Sequence, residues 1–133
     1  MNELLKILIP ILIQIESGGD NLAIGDNGDA VGCLQMHKIM VDDINRIQSL
    51  KFKDCSEDYY RYKDRLDRVT SKMMCEDYMN HYGPKRISKD NTELVNLIIL
   101  GRMWNGGPQG HKKKATLLYT KKIMKLYNEM QYQ

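Results

Sequence analysis

Glu16 is the residue in this chain best placed to do proton chemistry. It ends an almost wholly apolar segment, Leu4 to Ile15, and is followed by Ser17 and then Gly18-Gly19, which stop any helix. A turn-rich stretch comes directly after, Gly25-Asp26-Asn27-Gly28-Asp29-Ala30-Val31-Gly32-Cys33-Leu34-Gln35, able to fold back over the carboxyl group. Burial against apolar neighbours such as Ile13 and Ile15 disfavours the ionised form and raises a Glu pKa. A carboxyl group in that setting is held as an acid near neutral pH, which suits cleavage of a glycosidic bond, where the leaving oxygen must be protonated. The competing reading is a helix-terminal Glu, solvated or paired with a Lys. The helix dipole disfavours an anion at that end, so this reading explains the placement poorly.

The elements that must hold Glu16 follow from pattern. Leu4 to Ile15 is apolar nearly all round, as expected of a helix enclosed by others. Pro10 either kinks it or sits in the first turn of its second half, and a buried strand is the alternative for so Ile-rich a run. Asp26-Asn27-Gly28 has the chemistry of a hairpin turn, with Ala30-Val31 and Leu34-Gln35-Met36 as short strand fragments. Lys38 to Leu50 reads as a helix with Met40, Val41, Ile44 and Ile47 on one side. Ser56 caps a longer helix running to about Tyr82, with an apolar stripe of Tyr59, Tyr62, Leu66, Val69, Met73 and Met79. Gly83-Pro84 ends it. Thr92 caps a helix carrying Leu94, Val95, Leu97, Ile98, Leu100 and Met103, broken by Asn105-Gly106-Gly107-Pro108. A last helix, Thr116 to about Met130, turns Tyr119, Ile123, Leu126, Tyr127 and Met130 inward. The sum is a mainly α domain, a helical bundle around a central apolar helix with a small β-hairpin-like region near residues 24–36.

At 133 residues the chain suits one compact domain spanning residues 1–133. Its net charge of +3 is uneven: residues 1–50 sum to −4 and residues 51–133 to +7. A basic second half suits an anionic partner such as a cell-wall polymer, or is an ordinary solvated surface. The run His111-Lys112-Lys113-Lys114 comes without any nucleic-acid motif, so nucleic-acid binding is not expected. Cys33, Cys55 and Cys75 are odd in number and far apart, which argues against a disulfide framework and for free thiols. With His37, His81 and His111 also scattered, neither a metal site nor a cofactor is expected. Leu4 to Ile15 is too short to span a bilayer. Acidic Glu3 precedes it and no small-residue cleavage site follows, so it reads as part of the folded domain and not as an export signal.

Four ordered motifs resemble those of the lysozyme-like superfamily, specifically the soluble lytic transglycosylases and their goose-type lysozyme relatives. Glu16-Ser17 resembles the Glu-Ser pair holding that family's catalytic acid. Gly32-Cys33-Leu34-Gln35 is similar to its Gly-Leu-Met-Gln motif, and Met103-Trp104-Asn105-Gly106-Gly107 to its Ala-Tyr-Asn-Gly-Gly motif. Thr116-x-x-Tyr119-x-x-Lys122-Ile123 is similar to the Thr-x-x-Tyr-x-x-Lys-Val segment that closes the domain. The resemblance covers residues 4–130, least of all 56–82. It implies an α+β lysozyme-like fold and a monomeric enzyme cutting the β-1,4 bond between N-acetylmuramic acid and N-acetylglucosamine in peptidoglycan glycan strands. It implies Glu16 as general acid and then base, Ser17 fixing its side chain or the muramoyl group, and Gln35 contacting substrate or a water beside Glu16. Trp104 and Asn105 would line the cleft, and Tyr119 would hydrogen-bond near the Glu16 carboxyl. Packing at helical spacing is the other explanation for Trp104 and Tyr119, as a simple helix stop is for Gly106-Gly107-Pro108.

Two departures bear on the product. Trp104 stands where the family has Tyr. Gly25-Asp26-x-Gly28 resembles the Gly-Asp-x-Gly of goose-type lysozymes, where the Asp helps position the attacking water, and the second Asp of that pattern corresponds here to His37. With Asp26 as a second carboxylate, hydrolysis is open; an Asp favoured by a hairpin turn is the plain alternative. Without it, one Glu protonates the bridging oxygen and then deprotonates the muramoyl 6-hydroxyl, closing a 1,6-anhydro ring. Lytic transglycosylation is ranked first, hydrolysis second, and a wall-binding or assembly protein without activity third. A wall-degrading chain read as lacking an export signal is expected to be made in the cytoplasm and to reach the wall by lysis, on a phage particle, or through dedicated machinery.

Overall fold

The computed structural model describes residues 1–53 and 59–132. Among them are five α-helices and one two-stranded antiparallel sheet: α1 (Asn2–Ser17), β1 (Ile24–Gly25), β2 (Ala30–Val31), α2 (Lys38–Lys51), α3 (Arg68–Tyr82), α4 (Glu93–Gly106) and α5 (Leu117–Gln131). The mainly helical fold with a hairpin near residues 24–36 is as the sequence predicts. The chain divides into two compact units, Met1–Ile15 with Tyr82–Gln133, and Glu16–His81.

In the first unit, α1 is a helix and not the alternative strand, and it continues through Pro10. Pro10 is tolerated because it lies on the exposed stripe Glu3, Lys6, Pro10 and Gln14, while Leu5, Leu8, Ile9, Ile11, Leu12 and Ile13 are buried. Thr92 caps α4 as predicted, its hydroxyl accepting from Val95 N at 3.2 Å. Helices α4 and α5 pack together at Gly101, where a Cβ would run into the Ile123 side chain. The buried faces are narrower than the apolar stripes suggest. Val95 is exposed on α4, and on α5 Tyr119 and Ile123 are buried whereas Met130 is exposed.

In the second unit, β1 and β2 pair Ile24 with Val31 and Gly25 with Ala30. Val31 also exchanges both backbone hydrogen bonds with Met36, at 3.1 Å each, so the expected third fragment is a single bridge. Helix α2 buries Val41, Ile44 and Ile47 as predicted. The long helix expected from Ser56 is corrected: α3 starts at Arg68. Asp67, in extended conformation, supplies the cap, its carboxylate accepting from Thr70 N at 2.9 Å and from the Thr70 hydroxyl at 2.7 Å. Ser56, like Cys55, lies outside the described residues. Of the expected core stripe, Tyr59, Tyr62, Leu66, Val69 and Met73 are exposed and Met79 is buried as expected. The buried face is a second stripe of helical period in the same stretch, Ser71, Met74, Cys75, Tyr78 and Met79. Among the described residues no helix is long and apolar enough to cross a membrane.

Candidate active site

Glu16 is half-buried on the last turn of α1, with Ser17 beside it. Gly18 (φ 62°) and Gly19 (φ 94°) end the helix in the left-handed region, as their type demands. The Ser17 hydroxyl accepts from Gly19 N at 3.2 Å. The loop is pinned again by Arg68 at the head of α3, whose guanidinium donates to Gly19 O at 3.1 Å and to Asn21 Oδ1 at 2.8 Å. The segment that follows the candidate acid is therefore held from two directions.

The hairpin turn runs through three consecutive left-handed residues, Asp26 (φ 49°), Asn27 (φ 58°) and Gly28 (φ 98°), a conformation that Asp and Asn tolerate better than other side chains. Gln35 at φ 51° has no such excuse. A left-handed residue of its kind costs ~1–2 kcal/mol, and its side chain supplies the compensation. Its amide Nε2 donates to Ala23 O at 3.1 Å and to Gly32 O at 3.0 Å. Both amide hydrogens of Gln35 are thus committed to the backbone, and the oxygen Oε1 is what it has left to offer a substrate or water. That oxygen lies where a Cβ on Gly25 would be, so the Gly before Asp26 makes room for the Gln of the next motif.

Gly32 is fixed by two constraints at once. Its φ is +87°, and a Cβ there would overlap the carbonyl oxygen of Arg65. Cys33 and Leu34, between Gly32 and Gln35, are completely buried. Burial pushes the thiols of Cys33 and Cys75 upward, and both are free. Asp26 and His37 come together, His37 Nε2 standing 3.0 Å from Asp26 Oδ2. The pair is open to solvent, at 70% and 45% side-chain exposure for Asp26 and His37. In the second unit the sequence motifs therefore meet: Gly25 and Asp26 of the hairpin touch Gln35 and His37 of the turn.

The first unit shows a similar pairing. Gly107 (φ 89°) closes α4 with its N–H on Met103 O at 2.8 Å. Gly106 lies against Thr116, where a Cβ would meet the Thr methyl. The Thr116 hydroxyl donates to Gly110 O at 2.6 Å and accepts from Arg102 Nε at 2.8 Å. The Asn-Gly-Gly and Thr-x-x-Tyr motifs are thus in direct contact. Asn105 is exposed, whereas Trp104 and Tyr119 are buried, at 4% and 5% exposure. Packing, the second explanation offered by their spacing, accounts for that burial.

Sequence reasoning missed Arg65, which is 7% exposed. It donates from Nε to Tyr62 O at 2.8 Å and from Nη1 to Met36 O at 3.0 Å. It also missed Asn45, which brackets the backbone of Tyr60 with bonds of 2.7 and 2.9 Å. Neither belongs to a motif, and only the fold distinguishes Arg65 from the other basic residues around it. Among the described residues no group of three His, Cys, Asp or Glu could hold a metal ion. Comparison with protein-family models, with curated proteins and with solved structures returns no significant match.

Proposed function

We propose that this chain is a lysozyme-like enzyme that cuts the β-1,4 bond between N-acetylmuramic acid and N-acetylglucosamine in peptidoglycan, with Glu16 as general acid and base. One observation carries the reading. A half-buried Glu ends a buried apolar helix and opens the unit in which a Gly-Asp hairpin turn is locked to a left-handed Gln. Non-Gly residues in such conformations concentrate where function demands them, and a carboxyl group at the end of an apolar helix is a fitting proton donor for a leaving oxygen. For Ser17, Trp104, Asn105 and Tyr119 the support is the order of the motifs.

The preferred route is lytic transglycosylation. The Glu16 carboxylic acid gives its proton to the bridging oxygen, and the C1–O bond breaks with its electron pair going to the departing N-acetylglucosamine. The resulting carboxylate takes the proton of the muramoyl 6-hydroxyl as O6 bonds to C1. The enzyme ends protonated as it began, and no water is consumed. A Glu16→Gln variant keeps the shape and loses the proton, so it is expected to leave the turbidity of a purified wall suspension unchanged while the native chain clears it. Clearing by the variant would sink the proposal.

Hydrolysis is the second reading, and the Asp26–His37 contact is what favours it. An inverting hydrolase needs a second carboxylate ~6.5–9.5 Å from the acid to hold a water, and His37 would orient Asp26 for that work. Transglycosylation stays first because Asp26 is largely exposed, at 70%, on a turn that favours an Asp for its conformation. Asp26→Asn abolishing the release of reducing muramoyl ends would reverse the order.

A further inference from the structure

The second unit contains a cleft of about 270 Å³ lined by Gly28 and Asp29 of the hairpin, His37, Lys38 and Ile39 at the start of α2, and Arg65. Three features of it favour an anion. Arg65 is a buried guanidinium that meets only carbonyl oxygens among the described residues, those of Tyr62, Met36 and, at 3.4 Å, Asp29. Burial pulls its pKa down, with Tyr62 acting in the opposite direction. Its partners are neutral carbonyls, so where it lines the cleft an anion would supply the counter-charge they do not. Next, α2 has no side-chain cap and no acidic residue in its first turn, so the positive end of its dipole is not offset by its own side chains. Finally, the Lys38 ammonium sits over the Tyr62 ring, 5.2 Å from its centroid, and the Arg65 guanidinium is 5.7 Å from the same centroid. Tyr62 thereby gathers the two cations.

Three carboxylates near the cleft oppose an anion. Asp42 accepts from the Tyr62 hydroxyl at 2.7 Å, on the residue that gathers the two cations. His37 faces Asp26, so that carboxylate is engaged. Asp29 is exposed, and it turns its main-chain carbonyl toward Arg65. Ile39, 77% exposed, adds an apolar wall that a bare inorganic ion does not need and a carbon chain does.

We propose that this cleft is a carboxylate-binding subsite, with Arg65 as its buried anchor, Lys38 as its rim cation and Ile39 as the wall for the attached chain. The ligand class is a carboxylate on a peptide or sugar acid. Resting on the peptidoglycan reading, it is a carboxylate of the peptide carried by the muramoyl residue. With Nε and Nη1 engaged by carbonyls, the guanidinium would meet the carboxylate through Nη2, in a charge-assisted hydrogen bond.

Amide NMR spectra of the full chain test this, titrated with an N-acetylmuramoyl dipeptide, with the same compound amidated at its carboxylates, and with inorganic phosphate. The free carboxylate form is expected to shift Gly28, Lys38 and Ile39, and the amidated form to bind about tenfold more weakly. Because Arg65 also holds the fold, the variants are made at the rim. Lys38→Gln is expected to weaken binding about two- to fivefold, and Asp29→Asn to tighten it by a similar factor. Equal shifts by phosphate, or none by the dipeptide, overturn the proposal. Wall clearing without cleft shifts removes the subsite and leaves the enzyme reading. Cleft shifts with no wall clearing remove the enzyme reading and leave the subsite.

Discussion

Gly32→Ala separates a functional-looking motif from a tolerant turn. Two costs add at that position. A residue with a side chain at φ +87° loses ~1–2 kcal/mol in the left-handed region. Its Cβ would also overlap the carbonyl oxygen of Arg65, which is main chain and accepts from the Ser71 hydroxyl at 2.9 Å. Forcing such a group aside costs ~1–3 kcal/mol, so the total is about 2–5 kcal/mol, against ~5–15 kcal/mol for a whole domain. Gly28→Ala is the control. Gly28 also has positive φ, +98°, but nothing lies within 4 Å of its would-be Cβ, so only the conformational cost, ~1–2 kcal/mol, applies. Urea unfolding followed by far-ultraviolet circular dichroism reads both, provided the slope with denaturant is unchanged. Gly32→Ala is expected to be the more destabilising by about 1–3 kcal/mol. Equal losses in the two variants would refute the close approach of residues 32 and 65.

The remaining predictions concern Gln35 and Asp67. Gln35→Ala removes two side-chain bonds to the backbone and is expected to lower stability by ~1–3 kcal/mol and to slow wall clearing; unfolding midpoints and turbidity traces check the two parts separately. Asp67 has a carboxyl held below its ordinary value of 3.8 by the Thr70 hydroxyl first and the Thr70 N–H second. A depressed carboxylate pKa contributes stability that is present above the unfolded value, and is lost as pH falls through the folded one. Asp67→Asn is therefore expected to flatten the loss of stability with falling pH below about 4, measured as midpoints across an acid series; an unchanged acid slope would remove the cap from the account.

What was legible in the sequence is what local chemistry dictates. Gly18-Gly19 ends α1, Asp26-Asn27-Gly28 turns a hairpin, Thr92 caps α4, and Gly107 closes it. Each is a residue type whose conformation or hydrogen bonding is nearly decided by its neighbours. The stretch from residue 59 to residue 82 was not legible, because it carries two apolar stripes of helical period, and tertiary packing selects the one at 71, 74, 75, 78 and 79. The break at Asp67 cuts through the first of them. In the candidate site, Gly32-x-x-Gln35 stands out in the sequence as a motif, but what fixes its residues lies in contacts far along the chain. Gly32 is required by the Arg65 backbone and Gly25 by the Gln35 side chain. Arg65 itself left no signal, since burial of one guanidinium among many exposed cations is decided only by the fold.

The central claim is that Glu16 donates and recovers one proton while peptidoglycan is cut, and mass spectrometry of the sugars released from purified walls tests it most directly. The native chain is expected to release muramoyl ends in the 1,6-anhydro form, lighter by one water than reducing ends, and Glu16→Gln to release none. Release of the same products by Glu16→Gln, or no release by the native chain, would contradict the account.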